Sequence, residues 1–279
     1  MSTTAPGAGR RWLLHLGIAV IVLYCLIPFY WMVVSSFRLP TEQNEKTLFP
    51  QPFSMENFTA VFDPAVGFGR NLLNSIVVAG ITTILTLILG TFAAYTIARM
   101  EFRGKGLVAG IIIAMSMFPV VSLLVPLLKL FTDIGWINTY QAMIVPSLSF
   151  ALPLTVWVLA TFFRQMPKEL EEAAMVDGLT RGQAFRKIII PLAAPGMFTT
   201  AILAFIATWN EFIIALTMVN EKSMQTAVVA VSQFTGTTGF DSPFGTKMAA
   251  GVLLTVPLVI VVLIFQRRII AGLTAGGVK

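Results

Sequence analysis

The sequence predicts an all-α membrane protein with six transmembrane helices. Two observations carry that class. Hydrophobic residues make up 56% of the 279 positions, charged residues only 11%, and the mean hydropathy is +0.83. Those values describe a polytopic membrane chain and not a soluble core. Apolar runs long enough to cross a hydrocarbon layer also recur along the chain, separated by polar stretches that hold most of the charge.

The first run, Trp12 to Val34, follows Arg10-Arg11 and is about 23 residues long. A cleaved signal peptide competes for this segment, but its core would be shorter and a small-residue cleavage site would follow. At 1.5 Å per residue the run spans the ~30 Å hydrocarbon layer, so it reads as an uncleaved first helix. Trp12 and Tyr30-Trp31 suit interfacial belts at its ends. Ser35 to Gly69 is polar and rich in Pro and Phe, an external segment with short helices at most. Asn71 to Ala98 is the second span, where Gly90 and Ala94 form a small-xxx-small pair that favours close helix contact. A short basic loop, Arg99 to Lys105, leads to a third span from Leu107 to about Leu130, broken by Pro119 and Pro126. Ala142 to Phe163 is the fourth span, Gly196 to Val219 the fifth and Met248 to Phe265 the sixth. Paired prolines in spans three and four read as packing kinks or as breaks that line a cavity. The domain reading is a terminus at 1–11, a six-span transmembrane body at 12–266 and a tail at 267–279.

Charge placement gives the orientation. The N-terminus, the 99–105 loop, the 164–195 stretch and the tail hold 13 of the 19 Lys and Arg but only 5 of the 13 acidic residues. By the positive-inside rule both termini and the 164–195 stretch are cytoplasmic, in a cell membrane crossed several times. The net charge of +6 does not imply nucleic acid, because the basic residues lie between apolar spans and form no basic face. His15 and Cys25 are the single histidine and cysteine. They make neither a disulfide nor a metal site, and Cys25 reads as a buried inert thiol. No nucleophile–base pair and no P-loop glycine–lysine pattern is found, so a non-enzymatic chain without bound cofactor is expected.

The 164–195 stretch is the longest polar segment between two strongly apolar runs. Pro167 suits a first helical turn, and Lys168 to Asp177 reads as helix with Leu170, Ala173, Ala174 and Asp177 on one side. Gly178 supplies a left-handed stop, and Thr180 with Gln183 forms a capping-box pair that starts a second helix. That helix runs through Phe185, Ile188 and Ile189 and is expected to stop at Pro191. The small patch Ala173-Ala174-Gly178 at the elbow lets another backbone come close. An ordinary re-entry loop is the competing reading.

Two polar groups inside spans are further candidates. Glu211, in Trp209-Asn210-Glu211-Phe212, is an intramembrane carboxylate, which costs roughly 3 kcal/mol at the bilayer centre. Three readings stand: a ligand contact with Asn210 as partner and Trp209 as platform, a structural pair with a neighbouring helix, or reach to the outer interface. Asn74 and Ser75 near the end of span two are weaker path candidates, with helix-end hydrogen bonding preferred.

Glu172, Ala173, Ala174, Gly178, Ile188 and Pro191 stand at the spacing of the EAA loop, and with them the chain resembles the permeases of ABC importers over nearly its whole length. It is most similar to the second permease of carbohydrate importers of the maltose and trehalose type. The resemblance implies the type I ABC importer permease fold and a function in sugar import by alternating access. It implies that Glu172, Ala173, Ala174, Asp177, Gly178, Ile188 and Pro191 couple the chain to a cytoplasmic ABC ATPase dimer, which holds ATP and Mg. A second homologous permease and an extracytoplasmic sugar-binding protein complete the expected assembly in the lipid bilayer. The tail Gly272, Leu273, Thr274, Ala275, Gly276, Gly277, Val278 and Lys279 resembles one that inserts between ATPase subunits, although its composition alone reads as a flexible peptide. Gln233, Phe234, Thr235, Gly236 and Phe240 fall where such permeases reach into the binding protein. A secondary transporter and a non-transporting scaffold remain the rival classes. The first would want several buried acids or His relays, and Glu211 is nearly alone.

Overall fold

Apolar, unbroken stretches with good helix formers give helices here, and the polar stretches give the breaks. The computed structural model describes residues 8–42, 47–64, 66–234 and 243–275, with side chains described at 12–42, 47–64, 66–234 and 243–265. In order the helices are α1 (Ala8–Ser36), α2 (Glu56–Val61), α3 (Phe68–Arg99), α4 (Lys105–Ser116), α5 (Val120–Asp133) and α6 (Tyr140–Gln165). Then come α7 (Glu169–Val176), α8 (Arg181–Ala184), a π segment (Phe185–Ile189), α9 (Ile190–Trp209), α10 (Ile213–Met218), α11 (Ala227–Ser232) and α12 (Phe244–Ala275). Among the described residues, 5 helices are long and apolar enough to cross a membrane, or 6 if the bent pair α4–α5 is one span.

The third span is broken at the first of its two expected prolines and not at the second. Its two halves meet at 91°, at the break before Pro119. Pro119 has extended backbone (ψ 120°) and cannot donate to a preceding turn, so α5 starts afresh after it. Pro126 lies inside α5 without breaking it. The fifth span also differs. It begins at Arg181, runs through the π segment and α9 and ends at Trp209, with α10 a separate short helix. Pro191 therefore does not stop the helix. The π turns ahead of it shift the hydrogen-bond register where the proline lacks an N–H, and the chain passes through. The sixth helix continues through Gly272, Leu273, Thr274 and Ala275, where a flexible peptide was expected; one glycine costs a helix only about 1 kcal/mol. Gly276, Gly277, Val278 and Lys279 lie outside the described residues.

The chain divides into two compact units. The first comprises Met1–Phe68 with Gln233–Thr255. Its centre is Asn57, fully buried, whose amide donates to the carbonyls of Ser36 (3.1 Å) and Arg38 (2.7 Å). Thr246 Oγ1 approaches the Asn57 Oδ1 at 3.4 Å, and a Cβ on Gly245 would sit 2.6 Å from the same amide. The Arg38 guanidinium lies 4.7 Å over the Trp31 ring and donates to the Thr47 carbonyl. Only 6% of the apolar window of α1 is buried within the chain, so lipid or another subunit must cover the rest. Cys25 on that helix is exposed, not buried as the apolar run suggested; in a membrane an apolar run marks a lipid-facing surface as readily as a core.

The second unit comprises Gly69–Ser232 with Val256–Lys279. Here α3 and α6 approach closely, because Gly90 lets the Thr155 methyl lie where a Cβ would be 2.5 Å away. Gly196 does the same for α9 on α6, with the Phe162 ring 2.8 Å from where its Cβ would stand. At one end of these helices a core forms from Tyr95, Leu159, Phe163, Phe185, Ile189 and Ala193. That core is the floor on which the polar stretch after α6 rests.

Candidate functional site

The polar stretch folds as a helical elbow. Pro167 stands just outside α7, with Lys168 as the N-cap residue, and the acids Glu169, Glu171 and Glu172 fill the first turn, where the helix dipole favours them. The helix ends in a Schellman motif: Leu179 N–H donates to Ala174 O (3.0 Å) and Gly178 N–H to Met175 O (3.1 Å). Gly178 has φ +86°, a conformation that other residues adopt with strain. Two residues on, the Thr180 hydroxyl accepts from Gln183 N–H (3.3 Å) while the Gln183 side chain accepts from Thr180 N–H (2.8 Å). This is the capping box read from the sequence, and it starts α8.

The expected small-residue patch divides between two faces. Ala174 is buried, whereas Ala173, Asp177 and Gly178 are exposed. Glu172 and Leu170 face out as well, and Val176 is 87% exposed at the tip of the elbow. Ile188 packs at the edge of the aromatic core, and Pro191 is exposed in the first turn of α9. The outward face is thus a mixed apolar and acidic knob.

The inward face turns on Glu171, which the sequence did not single out. Tyr95 Oη donates to Glu171 Oε2 at 2.9 Å, and Arg99 Nε lies 3.0 Å from Glu171 Oε1. The second contact is one of charge, since the Nε–H is not aimed along that line. Arg99 Nη2 also donates to the Met166 carbonyl at the end of α6 (2.8 Å). The Arg99 and Glu171 side chains are only 5% and 12% exposed. Beside them lies a polar cavity of about 160 Å³, lined further by Met100, Lys168, Glu172, Met175 and Arg181. The Tyr95 ring packs at a tilt on Phe185 of the π segment, 4.3 Å between centroids, and edge-on at 5.9 Å to Phe163 of α6. One side chain therefore ties α7 to the last turn of α3, and the aromatic ring above it packs on the element that leads into α9.

The second candidate region is the break after α9. Glu211 is half-buried, and its carboxylate accepts from Ile214 N–H (2.8 Å) and Ala215 N–H (3.0 Å), capping α10. None of the three expected readings named this local role. It borders a cavity of about 130 Å³ with Thr208, Ser147, Ala151, Val120 and Ile214. Trp209 is 2% exposed and stacks on Phe205 at 5.6 Å, so its ring offers no platform to that cavity. Asn210 is exposed and donates to its own helix at Ile206 O (2.8 Å).

Asn74 and Ser75 do not satisfy the end of their own helix. Asn74 Nδ2 donates to the carbonyls of Ser223 and Gln225, both at 2.9 Å, and its Oδ1 accepts from Tyr140 Oη at 2.7 Å. Ser75 Oγ accepts from Ala227 N–H at 2.8 Å. Asn71 adds bonds to Lys222 O (2.8 Å) and Gln225 O (2.9 Å). Together they clamp the turn Lys222–Met224 and the start of α11 onto α3. Asn210 and Glu211 thus bond within residues 206–215, whereas Asn74 and Ser75 bond the 223–227 segment and Tyr140. Gln233 is exposed and Phe234 meets Phe68 edge-on at 5.8 Å, while Thr235, Gly236 and Phe240 lie outside the described residues.

Comparison with known proteins agrees with this arrangement. The chain is 43% identical over 260 residues to the trehalose transport system permease protein SugB of Mycobacterium tuberculosis, covering 93% of this chain and 94% of that one. It is 41% identical over 271 residues to the trehalose/maltose transport system permease protein MalG of Thermococcus litoralis, covering 97% of each. The fold matches a chain of a bacterial ABC transporter involved in the import of the polysaccharide alginate, with a TM-score of 0.80 over 95% of this chain and 99% of that one, at 19% identity. The family model described as the inner membrane component of binding-protein-dependent transport systems matches residues 58–274. The elbow, the apolar spans and these matches make the chain a member of that family of ABC transport permeases.

Proposed function

We propose that this chain is a sugar-conducting permease subunit of an ATP-driven importer, and that its elbow receives the force of ATP hydrolysis. The observation that carries the proposal is the two-faced construction of α7. Its outward face, Leu170, Glu172, Ala173 and Val176, is exposed among the described residues, while its inward face is fixed to α3 by a buried ion pair. Closed at its C-terminal end by the Schellman motif, α7 is a short lever. Displacing it pulls on the chain that leads through α8 and the π segment into α9.

The partner that displaces it is a cytoplasmic ATPase dimer, which binds ATP and Mg; a second, similar permease completes the path. The distribution of Lys and Arg supports placing the elbow and both termini in the cytoplasm. An extracytoplasmic binding protein would deliver substrate on the opposite side, with Gln233 and Phe234 as its proposed contacts. The helical run from Gly272 to Ala275 would extend toward the ATPase. ATPase closure rotates the spans and opens the passage outward; hydrolysis reverses the motion.

The substrate is a disaccharide such as trehalose or maltose, or a short oligosaccharide. Support comes from relatives at 41% identity and above, named for trehalose and for trehalose/maltose transport. The cavity bordered by Glu211, Ser147 and Thr208 is the candidate stretch of the path in this subunit. A secondary transporter is less well supported, because the Glu211 carboxylate is engaged by two backbone N–H groups. The test is ATPase stimulation by a sugar panel in the reconstituted complex. Trehalose or maltose should stimulate and amino acids should not; stimulation by no sugar would reject the substrate class.

A further inference from the structure

We infer that Glu171, Arg99 and Tyr95 form a latch that transmits displacement of the elbow into α3. This rests on the proposed docking of an ATPase at the elbow and adds a route that docking alone does not require. The chain itself joins α7 to α9, through the Schellman turn, the capping box and the π segment. That route is covalent but contains three changes of helical geometry, each able to absorb motion. No such softness lies between α7 and α3. There the link is one carboxylate held by a phenol at 2.9 Å and a guanidinium at 3.0 Å, both from the last turns of a 32-residue helix. Arg99 is further fixed to the Met166 carbonyl, so the end of α6 moves with the same group.

The burial of the pair argues that it serves more than solvation. An exposed ion pair is screened and contributes little, whereas one with 5% and 12% side-chain exposure holds its partners in one geometry. Glu171 is buried against Tyr95 and Arg99, so it is a positioning residue that acts through α3. The adjacent polar cavity leaves room for the carboxylate to part from the guanidinium, so the latch can open without unfolding the elbow.

The experiment uses the complete reconstituted importer with Glu171→Gln, Arg99→Gln, the double variant, and Tyr95→Phe, which removes one hydroxyl only. Two quantities are read: co-purification of the ATPase, and the ratio of sugar-stimulated to basal ATP hydrolysis. The latch predicts that the ATPase stays bound while the ratio falls about fivefold or more, the lower range of coupling between sites. The double variant should be no worse than either single one, because the partners act as a unit. Retained binding with an unchanged ratio, or with additive losses, overturns the latch while leaving docking in place. If the unaltered chain fails to hold the ATPase, docking fails and the latch with it. Should Glu171→Gln not reach the membrane, Tyr95→Phe decides by the same ratio.

Discussion

Glu171 and Glu172 are neighbours in sequence but differ in exposure: the first is buried and paired at 3.0 Å with Arg99, the second is exposed at the rim of the same polar cavity. A helix turns about 100° per residue, so consecutive acids divide between two tasks. Reversing the outer charge leaves the inner pair intact. Glu172→Lys is therefore expected to abolish sugar-stimulated ATP hydrolysis while the chain still inserts into the membrane. Normal stimulation in reconstituted complex would remove Glu172 from the docking face.

Close approach of α3 and α6 depends on Gly90. A Cβ there would stand 2.5 Å from the Thr155 methyl, and Thr155 is buried. Gly90→Ala should destabilise by about 1–3 kcal/mol, the usual penalty of overpacking. Thermal unfolding in detergent checks this, and adding Thr155→Ala should restore the midpoint. Failure of the second change to rescue would place the strain elsewhere.

The clamp on residues 222–227 predicts a local effect. Asn74→Ala removes two donated bonds and one accepted bond at a buried site, for a loss of about 1–3 kcal/mol. Limited proteolysis should cut the 220–226 segment about tenfold faster or more. An unchanged cutting rate would show that Asn71 and Ser75 suffice.

How much of this was legible in advance differs by element. Thr180 and Gln183 found each other because a capping box is local, and Gly178 because a left-handed stop has a residue preference. Glu171 with Tyr95 was not legible, since the partners are 76 positions apart and their pairing depends on how α3 and α7 dock. A signal was present: Glu171 and Ala174 share the inward face at three-residue spacing. The Asn71, Asn74 and Ser75 stripe on an apolar helix was a similar signal, and its partners lie about 150 positions away. Pro191 misled because the breaking rule assumes an α-helical register, and the π segment changes that register. Trp209-Asn210-Glu211 looked like one site, but the helix ends there and sends the ring inward, the amide back and the carboxylate forward to α10.

Glu211 joins a capping role to a cavity. Glu211→Gln keeps the shape but removes the charge, leaving one acceptor oxygen for two backbone donors. The expected result is an uptake constant for sugar raised about tenfold, the value of one charge-assisted hydrogen bond. An unchanged constant assigns the residue to capping alone.

The central claim is that the elbow receives the force. Val176, 87% exposed at its tip, is the position to label, and Cys25 is the single cysteine to be replaced first. A Cys25→Ser, Val176→Cys chain assembled into the working importer should cross-link to the ATPase subunit, with a yield that differs between nucleotide-free and ATP-bound states. Efficient sugar import with Val176→Cys freely reactive to a water-soluble thiol reagent in every nucleotide state, and no cross-link formed, would contradict the account.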